Sequence, residues 1–267
     1  MSDAVTSHYE RGDLLEALRA GLAEQGLPMT REAISAADEF HIGGAAATDA
    51  LLSHLGDLAG KRVLDLGSGL GGPARHMAAA GAAFRGVDLT PEFVRTARAL
   101  TDELGMSVAF DLGDVTALDF DDGAFYLVTL IHVGMNIADK RALFAEAERV
   151  LAPGGAFGIY EVMRMATGDL TYPLPWSSED ATNHVAGPGA YREAAEAAGL
   201  TLIHERERGE VARAFFAERM AAMKDGPPPF GLHITMGPDA GPRTRNMTVA
   251  VNAGTLAPVE MIFRKEG

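Results

Sequence analysis

The sequence predicts an α/β protein with a doubly wound, seven-stranded sheet, an N-terminal helical cap and a lid inserted after the fifth strand. From Lys61 onward, short apolar strands alternate with helices, the pattern that is typical of a parallel sheet covered on both faces. Residues 1–60 come before this alternation and show helical periodicity only. Residues 164–189 interrupt it with prolines and glycines, over a length that indicates a lid or a binding loop.

The first 60 residues are interpreted as a cap over the domain formed by residues 61–267. Leucines recur at helical spacing within residues 12–25, and a second helix is predicted for residues 48–58. Between these helices lies DEFHIGG (38–44), whose paired glycines suit a close approach of the backbone to a neighbour. No repeat and no linker divides the chain further.

The strands and helices of the second part follow from their length and apolar pattern. The seven predicted strands cover residues 62–67, 84–89, 107–114, 124–133, 156–162, about 200–206 and 258–265. The predicted helices cover residues 73–81, 91–105, 139–151, 191–198 and about 209–224, and a Gly/Pro-rich stretch follows at 226–242. The fourth strand is apolar on both faces, as a central parallel strand must be.

Composition and charge exclude several kinds of site and partner. The chain of 267 residues has no cysteine, which excludes disulfides, thiolate metal sites and cysteine nucleophiles. Its net charge of −14 repels phosphate backbones, so we expect no nucleic-acid partner. No apolar run approaches the roughly 20 residues needed to cross a bilayer, and residues 1–11 lack a signal-peptide core. We therefore expect a cytoplasmic location, whereas the oligomeric state, with a homodimer as one option, is left open.

The histidines do not show the spacing of a metal site. His41 and His132 are treated below as candidate catalytic residues. None of the remaining six histidines has a second ligand at i+4, and no carboxylate cluster resembles a calcium loop. The sequence therefore predicts no metal ion.

A glycine-rich segment follows the first strand of the predicted sheet. In VLDLGSGLGG (63–72), Gly67, Gly69 and Gly71 lie between a strand and a helix, where glycine permits a sharp turn and lets a ligand touch the backbone. Through Gly72 the segment also satisfies G-x-G-x-x-G. A dinucleotide site is therefore one interpretation.

Acidic residues near the ends of three successive strands favour a different ligand. Asp65 lies two residues before the first glycine, where its carboxylate would repel a pyrophosphate and attract an ammonium group. Asp88 ends the next strand, where an acid can accept hydrogen bonds from both ribose hydroxyls. Asp114 ends the third, where a carboxylate can accept from an adenine amino group. Three acids in this arrangement suit a cationic nucleoside without phosphates, namely S-adenosylmethionine.

Four segments resemble the successive motifs of class I S-adenosylmethionine-dependent methyltransferases, which have a Rossmann-like fold. They are VLDLGSGLGG, GVDLTPEFV, GDVTALDF and RVLAPGGAFGIYEV, and they span about residues 61–162. Outside them, DEFHIGGAAAT, HVGMNIADK and YPLPW resemble a bacterial small-molecule branch. That branch is related to sarcosine/dimethylglycine N-methyltransferases and to natural-product methyltransferases. The resemblance implies S-adenosylmethionine as cofactor, S-adenosylhomocysteine as product and a small-molecule acceptor.

The resemblance also implies which residues hold the cofactor. Asp88 would take the ribose, Leu89 would pack on the adenine, and Asp114 and Val115 would contact its edge. The other implied contacts line the methionine part or close the pocket from the cap: Tyr9, His41, Ile42, Gly43, Asp65, Gly67, Ser68, Gly69, Gly71, Ile131 and His132. The fourth strand departs from the family at Tyr126, because an aspartate that caps the strand and orients loops usually follows Phe125.

Three residues are candidates for a general base, which some acceptors need. His132 follows the fourth strand, Glu161 lies in the fifth, and His41 belongs to the cap segment. The alternatives are a packed histidine that orients its loop, a loop-fixing carboxylate and a histidine that fastens the cap to the sheet. Five residues are predicted to bind the acceptor: Met135, Asn136, Tyr160, Tyr172 and Trp176.

Two competing functions remain at this point. A nicotinamide-dependent oxidoreductase would use Gly67–Gly72, but no Tyr-x-x-x-Lys pair is present and Asp65 is poorly placed for phosphates. A cofactor-binding paralogue without catalysis is favoured only by Tyr126. The sequence does not determine the acceptor, or whether nitrogen, oxygen or carbon is methylated.

Overall fold

The computed structural model describes residues 2–222 and 230–267. Its strands are β1 (Arg62–Leu66), β2 (Ala83–Asp88), β3 (Val108–Leu112), β4 (Phe125–Ile131), β5 (Leu151–Arg164), β6 (Leu200–Glu207) and β7 (Leu256–Lys265). Its helices are α1 (Ser2–Tyr9), α2 (Leu14–Glu24), α3 (Arg31–Asp38), α4 (Gly44–Leu52), α5 (Gly72–Ala78), α6 (Pro91–Glu103), α7 (Lys140–Val150), α8 (Pro188–Ala197), α9 (Gly209–Ala222), α10 (Leu232–Met236) and α11 (Ala240–Asn252). All seven predicted strands are present, and the predicted α/β fold class is confirmed.

The strands form one sheet in the order β3-β2-β1-β4-β5-β7-β6. The pairs among β1 to β5 are parallel, but β7 runs antiparallel to both β5 and β6. The sheet is therefore mixed, whereas strand–helix alternation had indicated a parallel one. Strand–helix alternation shows only how successive strands are connected. The direction of β7, which is inserted between β5 and β6, depends on the tertiary path of the chain.

Each face of the sheet packs against helices, as a doubly wound fold requires. On one face the core joins Leu64, Val128 and Phe157 to Phe144 of α7 and Tyr191 of α8. On the other face, residues of α4 and α5, including Leu51 and Met77, pack on Val63, Leu127 and Ile262. The two clusters thus hold the sheet between two layers of helices.

The N-terminal region contains four helices rather than the two that were predicted. Thr30 accepts a hydrogen bond from Ala33 N at 3.2 Å and so caps α3, a signal that sequence analysis passed over. Helix α4 begins at Gly44 rather than at residue 48, because Gly43 has φ 90° and opens the helix. Leu14 and Leu18 of α2 share a cluster with Phe93 and Leu100 of α6. The division into a cap of residues 1–60 and a domain of 61–267 stays a prediction.

The segment between β5 and α8 folds over the carboxyl edge of the sheet. Trp176 is buried and donates from Nε1 to Asn183 Oδ1 at 2.9 Å. His8 Nε2 lies 3.0 Å from Pro175 O, and Asn246 Nδ2 donates to Pro173 O at 3.0 Å. These contacts tie the segment to α1 and α11.

Part of the predicted Gly/Pro-rich stretch, residues 226–229, lies outside the described residues. The described remainder contains α10 and the beginning of α11. Within the ranges 2–222 and 230–267, no helix is both long and apolar enough to pass through a bilayer.

Candidate functional site

A cavity of about 300 Å³ lies at the carboxyl ends of β1, β2 and β4, the edge where open α/β sheets bind ligands. Its floor comes from these strands and the glycine loop. Its other walls come from α1, the segment after α3, the loop between β5 and α8, and helices α9 to α11. Sixteen of the predicted site residues line it: Tyr9, His41, Ile42, Asp65, Gly67, Ser68, Gly69, Asp88, Leu89, Asp114, Val115, Ile131, His132, Met135, Asn136 and Trp176.

The glycines after β1 serve different purposes. Gly69 has φ 52° and no atom within 4 Å of the position of a Cβ, so a side chain there would project into open space that a ligand can use. Gly67 is held against Val133, and Gly71 against Phe110, and Gly71 does not line the cavity. A Cβ on Gly72 would lie 2.5 Å from Asp38 O. The close approach of Asp38 therefore explains why the last position of G-x-G-x-x-G is a glycine. A bound pyrophosphate is no longer needed to explain that pattern.

Asp88 is oriented by the backbone. Its Oδ2 accepts from Gly69 N and its Oδ1 from Thr90 N, both at 2.8 Å. A carboxylate has about four lone-pair positions, so two remain for hydroxyl donors from the cavity. Burial raises the pKa of Asp88, while the two backbone donors oppose that shift. The geometry fits a residue that grips a vicinal diol.

Asp65 lies deeper at the end of β1. Its side chain is buried, and its Oδ1 accepts from Thr129 Oγ1 at 2.8 Å. Burial, with a smaller contribution from Asp88, raises the pKa of Asp65 to about 7. No cation neutralises it within the described part of the chain. A buried carboxylate beside a cavity is suited to a cationic group of the ligand.

The affinity for a ligand that carries an ammonium group is therefore expected to fall as the pH drops below about 7. Protonation of Asp65 removes the charge that attracts the ammonium, whereas above the pKa of about 7 the carboxylate is present. Calorimetry with S-adenosylhomocysteine from pH 6 to 8 measures this, and Asp65→Asn is expected to flatten the profile. A profile that is equally steep in Asp65→Asn would assign the pH dependence to another group.

The remaining nucleoside contacts are less enclosed. Asp114 lies two residues beyond β3, where its Oδ1 accepts from Thr116 N at 2.8 Å and from Thr116 Oγ1 at 2.6 Å. Val115 is buried, and Leu89 follows β2 directly. These residues line the same cavity as Asp88, and their contact with an adenine stays a prediction.

His132 follows β4 in a strained backbone conformation. Its φ of 54° makes it the one non-glycine residue with positive φ among those described. Its Nε2 is buried without a hydrogen-bond partner, and its ring stacks on Tyr160 with centroids 5.2 Å apart. Burial, followed by the proximity of His41, lowers the pKa of His132 well below the usual value. The imidazole is neutral at pH 7, and the residue lines the cavity although its Nε2 is enclosed by protein atoms.

His41 stands opposite His132, with ring centroids 6.0 Å apart. Its Nε2 lies 2.9 Å from Gly44 O and 3.1 Å from Thr48 Oγ1, so that nitrogen carries the proton it donates to the carbonyl. Burial lowers the pKa of His41 to about 4. Only Nδ1 remains to accept a proton, which makes His41 the weaker candidate base.

Glu161 and Tyr160 do not line the cavity. The Glu161 carboxylate accepts from Val133 N at 2.9 Å and from Gly134 N at 2.8 Å, and it is fully buried. Burial raises the pKa of Glu161 to about 8. This placement speaks against Glu161 as the base, because its oxygens hold the loop after β4. Tyr160 lies behind His132 and orients its ring.

The structure places three of the five predicted acceptor-binding residues in the cavity. Met135, Asn136 and Trp176 line the cavity, but Tyr172 donates to Asp180 Oδ1 at 2.8 Å and fixes the lid instead. Tyr9 donates to Asn136 Oδ1 at 3.4 Å and so connects the cap to the loop after β4. Gly43 shapes the turn before α4 without lining the cavity.

Sequence analysis missed the aromatic wall that helix α9 contributes to the cavity. Phe215 and Phe216 line the cavity together with Met247, and the Arg219 guanidinium lies 4.9 Å from the centroid of the Phe215 ring. The spacing of 215, 216 and 219 places them on neighbouring turns of α9. That pattern could have been found, but nothing in it indicated that this helix returns to the carboxyl edge.

The departure at Tyr126 lies away from the site. Tyr126 occupies a bulge at the amino end of β4, and the Lys61 ammonium lies 4.3 Å from the centroid of its ring. The cavity is at the other end of the same strand. The substitution therefore gives no support to a protein that has lost its activity.

A sheet of this order, with acids around a glycine loop at its carboxyl edge, defines an α/β fold with a ligand-sized cavity at the edge where such sheets bind ligands. Residues 64–159 match the family described as a methyltransferase domain. The resemblance carried by the motifs is thus confirmed over this segment, which is similar to a methyltransferase domain.

Curated relatives match part of the chain. Methyltransferase phqN of Penicillium fellutanum is 35% identical over 136 residues, which are 50% of this chain and 41% of the relative. Demethylmenaquinone methyltransferase of Thermus thermophilus is 40% identical over 103 residues, or 38% of this chain and 47% of the relative. The matched residues thus span less than half the length of each of these relatives.

Solved structures cover nearly the whole chain. The geranyl diphosphate C-methyltransferase of Streptomyces coelicolor A3(2) superposes with a TM-score of 0.72 at 16% identity, over 99% of this chain and 97% of that one. The [4+2]-cyclase SpnF gives 0.69 at 22% identity, over 100% and 97%. These likenesses show the fold alone.

Proposed function

We propose that this protein transfers a methyl group from S-adenosylmethionine to a small-molecule acceptor. The observation that carries the proposal is the set of three acids, Asp65, Asp88 and Asp114, around one cavity that His132 also lines. Asp65 suits the ammonium of the methionine part, and Asp88 suits the ribose diol. Because Gly69 has no side chain, the space beside it is open to such a ligand. The similarity to methyltransferases such as phqN and demethylmenaquinone methyltransferase supports methyl transfer.

The cofactor, when bound, supplies a methyl group activated on a sulfonium. The protein then has to position the acceptor, exclude water and, where needed, take a proton. The aromatic and aliphatic wall of Trp176, Phe215, Phe216 and Met247 excludes water and favours an acceptor that is largely apolar. His132 is the candidate to take the proton, and Tyr160 and Glu161 hold the imidazole and its loop in place.

Ligand binding separates this proposal from a nicotinamide-dependent enzyme. S-adenosylhomocysteine is expected to bind and NAD(H) is not, because Asp65 would face a phosphate. Calorimetry with both ligands measures this. Binding of NAD(H) alone would overturn the proposal.

A screen of acceptors with labelled S-adenosylmethionine tests the activity itself. Fold alone does not decide activity, since one structural neighbour of this chain is a cyclase. The screen spans sarcosine-like amines, phenols and indoles, and methyl transfer to any of them is the expected result. Binding without transfer across the whole screen would favour a cofactor-binding protein without methyltransferase activity.

Binding of S-adenosylhomocysteine is expected to slow hydrogen exchange in residues 164–189 and in the cap. The cofactor must enter and leave a site that later excludes water, so the contacts of Pro173 and Pro175 with α11 and α1 have to open. Hydrogen exchange with and without S-adenosylhomocysteine measures this. Strand β6, which does not line the cavity, is the internal control for global stabilisation. Equal protection in both states would mean that the pocket is preformed.

A further inference from the structure

Two histidines and one glutamate meet on the side of the sheet that faces α4, outside the cavity described above. His54 lies in the turn after α4, His204 on β6 and Glu260 on β7. His204 Nε2 lies 2.8 Å and His54 Nε2 3.2 Å from the same oxygen, Glu260 Oε1. The two imidazole rings stack with centroids 3.9 Å apart. Of the residues that the structure describes, this is the one group of three with metal-ligand character.

A bulge in β6 brings His204 to this face. Leu202 pairs with Phe263, but His204 pairs with Ile262, so one extra residue is inserted between them. Leu202 packs on the α7/α8 side of the sheet, where Phe263 also lies. Strict alternation would place His204 on that same side, and the bulge turns it to the α4 side, where Ile262 packs.

The Glu260 carboxylate is fully buried and already oriented. Arg208 Nη1 donates to its Oε2 at 2.9 Å, which leaves Oε1 to the two histidines. The His54 and His204 side chains are 36% and 26% exposed, so an ion could reach them from solvent. A carboxylate whose second oxygen is held by a hydrogen-bond donor is the usual arrangement of a metal ligand.

We infer that His54, His204 and Glu260 form a binding site for a transition-metal ion such as Zn²⁺, with the fourth position open to water. A tetrahedral ion with bonds of about 2.0–2.1 Å separates its ligand atoms by about 3.3 Å. The two observed separations from Oε1, 2.8 and 3.2 Å, are close to this, and the stacked imidazoles have to rotate so that both nitrogen lone pairs point at the ion. Two imidazoles and one carboxylate favour Zn²⁺, Co²⁺, Ni²⁺ or Cu²⁺ over Mg²⁺ and Ca²⁺, which prefer oxygen ligands.

The ion would join the end of α4 to the edge of the sheet. None of its three ligands lines the cavity, so its role is to stabilise rather than to react. Helix α4 also carries Thr48, which contacts His41 at the site. Arg208 offsets part of the carboxylate charge, so the affinity is expected to be moderate. The inference departs from the expectation of no metal, which rested on sequence spacing alone.

Titration of untagged, chelator-treated protein with Zn²⁺ tests the inference. The expected result is one ion per chain and a higher thermal midpoint, with no such shift from Mg²⁺. Co²⁺ is expected to give the visible absorption of a tetrahedral site. His54→Ala and His204→Ala are each expected to weaken Zn²⁺ binding by at least about tenfold, since each removes a ligand.

His76→Ala is the matched control, because His76 has one carboxylate partner, Asp49 at 2.6 Å, and no second imidazole. It is expected to leave Zn²⁺ binding unchanged. Absence of saturable binding would overturn the inference and leave the cluster as a hydrogen-bonded clamp. A stoichiometric site that persists in both His54→Ala and His204→Ala would also overturn it.

Discussion

Replacing His132 with asparagine is expected to lower the turnover of methyl transfer by about 10²- to 10⁴-fold, the usual contribution of a general base. The affinity for S-adenosylhomocysteine is expected to stay nearly unchanged. Asparagine tolerates the φ of 54° at this position better than alanine does, so the backbone is retained while the imidazole is removed. Turnover with an acceptor found by the screen and calorimetry with S-adenosylhomocysteine measure the two quantities.

His41→Ala and His184→Asn are measured in the same assays as His132→Asn. His41 is the rival base, and His184 is a half-buried histidine that does not line the cavity. His184→Asn is expected to retain turnover. If His132→Asn and His41→Ala both retain more than about a tenth of it, neither histidine is the base. Catalysis would then rest on proximity and desolvation, which suffice for an acceptor that is already neutral.

Replacing Asp88 with alanine is expected to raise the dissociation constant of S-adenosylhomocysteine by at least about tenfold. Two charge-assisted hydrogen bonds to the ribose would be lost, each worth about 1.5–3 kcal/mol. The structure adds a second cause, because the same carboxylate accepts from Gly69 N and Thr90 N. Calorimetry measures the change.

Asp88→Asn separates these two causes, since it keeps one acceptor oxygen for the backbone while the charge is lost. Asp111→Ala is the matched control, because Asp111 pairs with Arg85 at the surface and does not line the cavity. It is expected to leave the affinity unchanged. An unchanged affinity in Asp88→Ala would remove Asp88 from the site and weaken the proposed function.

The nucleoside half of the site could be predicted because its residues belong to local motifs. Gly69, Asp88 and Asp114 lie at or just beyond strand ends, and parallel strands bring such ends to one edge. The acceptor half could not be predicted in this way. Phe215, Phe216 and Met247 reach the cavity only through the path that α9 and α11 take between β6 and β7.

The partners of the buried charged residues could not be predicted from the sequence either. Glu161 is conspicuous as an acid in an apolar strand, but its role depends on the N–H groups of Val133 and Gly134, which a different strand delivers. The partners of Glu260 and Arg208 could not be predicted for the same reason. They depend on the pairing of β6 with β7 and on the bulge in that pairing.

By itself the sequence determined the strands, the main helices, the glycine loop and the acids at the strand ends, because periodicity and turn chemistry act over a few neighbouring residues. Only the tertiary structure decided the direction of β7, the unpaired Nε2 of His132 and the apolar wall of the cavity. It also decided the meeting of His54 with His204, which are far apart in the chain. The physical reason is that burial, strand pairing and desolvation depend on segments that are distant in sequence, and local patterns do not encode which of them come into contact.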